Sequence, residues 1–194
     1  MRKPTKDEIR SRPGQSGMIS AGKRWVRENK EILKFCLVFG LTLGAFALIL
    51  QTDIVQGHLV TPHLEQVAAL CGAILNAFGT QCEVSGSAIN AARFSVSVVR
   101  GCDSIYPTAM LWAALLAYSA TWKSRLIGLL GGAVVLFLLN IVRILTMFYI
   151  GSYFPSLFDI VHVYAWQALF ILITLAVWLF WAAKISRAKT PVSL

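Results

Sequence analysis

Long apolar runs separated by short polar stretches restrict what this chain can fold into more than any other feature of its sequence. A bilayer core of about 30 Å is crossed by roughly 20 apolar residues rising about 1.5 Å each. The runs 34–51, 104–121, 126–151 and 164–183 meet or approach that length. The balance of residues agrees, with 57% hydrophobic and 14% charged, against about half apolar and a quarter charged in soluble domains. The expected fold class is therefore an all-α integral membrane protein with about four transmembrane helices.

The charge pattern orients those helices. Of the 18 Lys and Arg residues, Arg2, Lys3, Lys6, Arg10, Arg12, Lys23, Arg24, Arg27, Lys30 and Lys34 precede the first apolar run. In a soluble protein such a cluster would point to nucleic acid; ahead of an apolar span it marks the cytoplasmic side and attraction to anionic headgroups. The run lacks a small-residue cleavage site, so it is expected to be retained as a helix. Residues 1–30 are expected to be a basic cytoplasmic tail, disordered where Lys, Arg, Ser, Gly and Pro leave too little apolar surface to offset chain entropy. Residues 31–185 would form the membrane domain and 186–194 a short cytoplasmic tail. Trp25, Trp122, Trp178 and Trp181 fall near predicted membrane interfaces, where aromatic rings are favoured.

The segment 62–79 is ambiguous. Val67, Leu70, Ile74 and Phe78 recur at helical spacing, but Glu65, Gln66 and Asn76 interrupt the apolar surface. A helix lying in the interface is expected. A fifth span here would place Lys123, Arg125, Lys184, Arg187 and Lys189 outside, against the positive-inside rule. With the interfacial arrangement both termini are cytoplasmic, and 52–103 and 152–163 are extracytoplasmic. Within the first of these loops, a Gly-Ser turn signal and alternating Phe94, Val96 and Val98 predict a short β-hairpin.

Polar residues then converge on one membrane face. Arg143 lies inside the third apolar run, where an arginine costs a few kcal/mol and marks a functional site by default. Counted from Leu126, its depth is about 25 Å, in the outer leaflet. Asn140 shares its helix face. The plainer alternative is that Arg143 snorkels to headgroups or pairs with Asp159. Cys102 precedes the second span, with Ser104 as the expected N-cap and Pro107 in the first turn. The helix N-terminus and a guanidinium would favour the reactive thiolate, while Asp103 would oppose it. His162 precedes the fourth span, with Asp159 one helical turn earlier to orient the imidazole. A cysteine or interfacial histidine alone is usually inert. Three elements delivering a nucleophile, a cation and a proton shuttle to one depth point to acyl transfer.

These residues sit in the segments GCDSIYPTAMLWAALLAY, LLNIVRILTMFYIG and FPSLFDIVHVYAWQALFIL, which resemble the Cys, Asn-x-x-Arg and His blocks of the exosortase and archaeosortase family. The FD-x-x-H-x-Y-x-WQ run is most similar to exosortase H. The resemblance implies a multi-pass bacterial inner-membrane cysteine protease and transpeptidase with its site on the periplasmic face. It implies Cys102 as nucleophile, Arg143 and His162 as catalytic partners, and Asn140 as the motif asparagine. The implied partners are proteins with a C-terminal sorting signal of motif, transmembrane helix and basic tail, of the IPTL-x-x-WG class. Family members commonly follow the cysteine with a small residue and glycine, where this chain has Asp103 and Ser104.

Two other functions fit parts of the sequence. Cys71, Cys82 and Cys102 in an oxidising compartment would suit a thiol oxidoreductase, but no Cys-x-x-Cys pair is present. Gly40, Gly44, Gly128, Gly131 and Gly132 would suit a membrane adaptor that packs partner helices. His58, His63 and Glu65 make no convincing metal ligand set. No cofactor motif is visible, so no cofactor is expected.

Overall fold

The computed structural model describes residues 24–189, so the expected tail segments 1–23 and 190–194 lie outside the described residues. Arg24 to Glu28 is already helical, with Arg24 Nε donating to Glu28 Oε1 at 3.0 Å one turn on. This stretch, expected in the unstructured tail, leads into α1 (Lys30–Leu50). A helical turn (Asp53–Val55) and a π-helical turn (Gln56–Val60) connect to α2 (Thr61–Ala77). Three strands follow, β1 (Cys82–Ser85), β2 (Ala88–Ala91) and β3 (Ser95–Ser97), and then α3 (Ile105–Ala117) and α4 (Trp122–Tyr153). Short turns (Pro155–Leu157, Phe158–Ile160 and the π-helical Val161–Ala165) lead into α5 (Trp166–Lys189).

Three helices among the described residues are long and apolar enough to cross a membrane: Lys30–Leu50, Trp122–Tyr153 and the continuous run Pro155–Arg187. Within the expected span 104–121 the structure forms the 13-residue apolar α3, about 20 Å long and shorter than those three. Its chain turns extended at Tyr118, ψ 137°. This short helix packs among α1, α4 and α5 and buries Ala109, Leu111, Ala113 and Leu115. Gly132 on α4 lies against the Leu111 side chain, and Gly128 lies against Trp181. Trp181 Nε1 also donates to the Ser124 carbonyl at 2.9 Å. Two of the glycines expected to face partner helices are thus occupied by the chain's own side chains, whereas a Cβ on Gly40, Gly44 or Gly131 would meet nothing.

The helix α2 is not among the candidate spans. It buries Leu64, Val67, Ala68, Cys71, Gly72 and Leu75, while Leu70 and Phe78 of the apolar series are exposed. The sheet approaches closely at Gly72, where a Cβ would run into Val84. Asn76, which reads as an interruption in the sequence, joins the two elements. Its Nδ2 donates to the Cys82 carbonyl at 3.0 Å and its Oδ1 accepts from the Cys82 N–H at 2.8 Å, as a neighbouring strand would. Cys71 and Cys82 are both buried free thiols.

The expected hairpin region forms a three-stranded antiparallel sheet in the order β1-β2-β3. Gly86, at φ +58°, supplies the left-handed residue between β1 and β2. Val98 is buried and Phe94 and Val96 partly so, whereas Ser95 and Ser97 are exposed, the alternation a half-buried strand requires. The sheet and α2 pack on Ile141, Ile144 and Phe148 of α4. At the other end of the bundle, Phe35 meets Trp178 and Tyr118 meets Ser186. Lys34, Lys123, Arg125, Lys184 and Arg187 belong to that end, opposite the sheet.

Gly151 fixes the sheet to α4. A Cβ there would fall in the ring of Phe94, which is already held by Phe148 and Phe158 with ring centroids at 6.2 and 5.5 Å. Gly151→Ala is expected to destabilise the fold by about 1–3 kcal/mol, the usual scale of overpacking, read as a lower melting temperature in detergent. An unchanged melting temperature would mean that the sheet is free to shift on α4.

Candidate active site

A tight turn between β3 and α3 presents Cys102. The Cys102 N–H donates to the Val99 carbonyl at 2.9 Å, and Gly101 (φ +88°) and Ser104 (φ +59°) flank the cysteine in left-handed backbone. Such a conformation costs a non-glycine residue roughly 1–2 kcal/mol and is concentrated at functional sites. Ser104 occupies the N-cap position of α3 but makes no side-chain cap bond. Asp103, buried beside it, takes the bond instead, its Oδ1 accepting from the Ile105 N–H at 3.2 Å. The expected cap is therefore displaced by one residue, from Ser104 to Asp103.

The structure brings Cys102, Arg143 and His162 together. Cys102 Sγ lies 3.6 Å from His162 Nε2 and 3.7 Å from Arg143 Nη2. Arg143 projects from α4 and is only 6% exposed. Its guanidinium carbon stands 5.5 Å from the centre of the Phe170 ring, and no carboxylate lies within ion-pair distance among the described residues. His162 sits on the π-helical turn Val161–Ala165, a local widening often found at functional sites. Its ring stacks on Phe158, centroids 5.7 Å apart and planes 4° from parallel.

The supporting residues behave differently. Asp159 is exposed, and His162 Nδ1 is buried without a hydrogen-bond partner among the described residues, so the carboxylate does not orient the imidazole as expected. The stacked Phe158 holds the ring instead. Asn140 is fully buried one turn before Arg143, with both side-chain amide atoms unpartnered. Such a group is costly unless something else completes it.

A cavity of about 320 Å³ opens beside the three groups, lined by β3 and the residues just after it on one wall and by Ile144, Met147 and Phe158 on the other. Burial pushes the Cys102 thiol above its ordinary range, Arg143 pulls it back and Asp103 adds to the rise. The sequence-based expectation of a thiolate poised by the helix terminus and guanidinium is thus outweighed by desolvation. A protonated thiol next to His162 Nε2 suits general-base catalysis, in which Nε2 accepts the proton and Nδ1 carries the ring hydrogen. The alkylation rate of Cys102 with iodoacetamide, followed by peptide mass, is expected to climb only above the pH of an ordinary thiol. Asp103→Asn should move that profile to lower pH and Arg143→Gln to higher pH. A profile centred near neutrality would contradict the desolvated thiol.

The transmembrane exosortase family model (Exosortase_EpsH) matches residues 29–179, which takes in α1 to α4, most of α5 and all three converging groups. The chain belongs to the transmembrane exosortase family. No curated protein and no solved structure gives a significant match. As an exosortase the chain is a membrane protein of a family that processes sorting signals and whose members are generally cysteine peptidases and transpeptidases. Two parts of this exosortase's site escaped the sequence reading. Phe158 was detectable in principle, since it stands four residues before His162 and a helical turn puts both rings on one face. Phe170 carried no such signal, because only the packing of α5 against α4 brings it to Arg143.

Proposed function

We propose that this exosortase is a cysteine transpeptidase that cleaves a C-terminal sorting signal through a thioester on Cys102. The observation that carries the reading is the contact of one sulfur with both His162 Nε2 and Arg143 Nη2. Cys102 attacks the scissile carbonyl while its proton passes to His162 Nε2. Arg143 stabilises the oxygen that becomes negative. Collapse of the tetrahedral adduct breaks the carbon–nitrogen bond, and His162 returns the proton to the departing amine. An acceptor hydroxyl, amine or water then attacks the thioester, gives its proton to His162, and restores the thiol.

The substrates of this reading are proteins ending in a motif of the IPTL-x-x-WG class, an apolar span and a basic tail, consistent with the exosortase H type. The segregation of Lys34, Lys123, Arg125, Lys184 and Arg187 at one end of the bundle supports a cytoplasmic placement of that end and a periplasmic site in a bacterial inner membrane. A reporter carrying such a signal, coexpressed with the intact chain, tests the proposal. The expected result is a shortened reporter and an enzyme–reporter adduct released by hydroxylamine. A reporter of unchanged size with no adduct would reject it.

A further inference from the structure

A sheet with two edges exposes two rows of backbone hydrogen-bonding groups, and proteins ordinarily cover them. Here one edge is closed and the other is open. In the β1–β2 register, Cys82 faces Ala91 and Glu83 faces Asn90. The backbone of Cys82 is directed outward, and Asn76 binds both its N–H and its carbonyl. At Cys82 the outer edge of β1 is therefore capped by α2.

Among the described residues the edge of β3 has no such cap. The N–H of Val98 donates to the Ser87 carbonyl and the N–H of Ala91 to the Phe94 carbonyl. In an antiparallel ladder such bonds recur at every second residue, so Phe94, Val96 and Val98 turn their backbones to β2. Ser95 and Ser97 turn theirs the other way, and both residues are exposed. The free side of β3 forms a wall of the cavity that also contains Cys102, Arg143 and His162.

We infer that the recognition motif of the substrate binds as an extended strand along this free edge. It pairs its backbone with Ser95 and Ser97 and so draws the scissile carbonyl toward Cys102. Unpaired strand groups are complementary to another extended peptide, and strand addition fixes register through backbone bonds while pockets beside the strand select alternate side chains. Phe94, Met147 and Phe158 supply apolar walls for those side chains. The occupant is an extended peptide with apolar residues at alternate positions. A helix would satisfy its own backbone and leave the Ser95 and Ser97 groups unpaired. This inference rests on the transpeptidase reading and specifies how its substrate is held.

The test uses a reporter processed in a Cys102-dependent manner. Single cysteines are placed at successive motif positions of that reporter and paired with Ser95→Cys or Ser97→Cys in a Cys102→Ala chain in native membranes, with copper phenanthroline as oxidant. Crosslinks at every second reporter position are expected, the period of a strand. Crosslinks at every third or fourth position, or none, overturn the inference. A second variant, Ser97→Pro, removes an outward N–H while sparing the bonds to β2, a substitution an edge strand accepts. With its melting temperature preserved, it is expected to lower the rate of reporter conversion about 10-fold or more at limiting reporter. Conversion equal to that of the intact chain, together with absent alternating crosslinks, would leave Cys102 chemistry standing and remove β3 from recognition. Conversion that survives Cys102→Ala would instead remove the underlying reading.

Discussion

Replacing Cys102 with alanine is expected to lower conversion of a sorting-signal reporter by at least about 10⁴-fold, the scale on which a lost nucleophile usually acts. The covalent adduct should disappear with it. Cys102 Sγ is the atom on which both His162 and Arg143 converge, and no other described cysteine shares that cavity. His162→Ala is expected to cost about 10²–10⁴-fold, the range of general-base catalysis, with a distinctive pH dependence. Burial raises the pKa of the thiol, so without the imidazole its proton must pass to solvent base. Residual conversion should then climb with pH through the raised thiol range. Cleavage kinetics of the three proteins across pH would check both statements. Conversion untouched by Cys102→Ala would return the chain to the adaptor reading, with Gly40, Gly44 and Gly131 as the open packing surfaces.

Arg143→Met is expected to move activity and stability in opposite directions. The guanidinium is buried against a sulfur and a phenyl ring, with no carboxylate in ion-pair range among the described residues. A buried charge without a counterion is costly, and an apolar residue of similar shape often stabilises a fold by about 1–4 kcal/mol. The melting temperature in detergent should therefore rise. Conversion should fall by about 10²–10³-fold, as when a preorganised donor to a developing oxyanion is removed. Arg143→Lys should recover only part of that, since a compact ammonium lacks the planar fork. A variant that melts earlier would identify Arg143 as a structural anchor.

The convergence of Cys102, Arg143 and His162 was legible because each stands in or beside an apolar run, where a polar side chain is costly to keep and so marks a candidate site. Rise per residue sufficed to bring Arg143 to the level of Cys102 and His162. Other features were decided by tertiary packing. The stop of α3 at Ala117 follows no proline or glycine, and the apolar run continues beyond it. The Gly-Ser turn signal falls between β1 and β2 and the Phe94, Val96, Val98 alternation covers β3, but nothing in the sequence marks the second turn that makes three strands of the expected hairpin. On α2 the close approach of Val84 to Gly72 was not legible from the helical spacing, because it depends on where the sheet packs.

The shortness of α3 has a consequence for the substrate. Cys102 touches Arg143, whose position on α4 is about 25 Å from Leu126 and so about 5 Å beneath the outer face of a core of about 30 Å. Under the transpeptidase reading, a signal whose membrane helix filled that core would hold its scissile bond above the thiol. On that reading the last turn of the incoming helix would unwind as the chain descends, and each freed amide would need a new partner in surroundings short of water. A proposed nucleophile at that depth would favour sequences that unwind readily at the junction between motif and span. Helix propensity there becomes a determinant of specificity separate from side-chain fit.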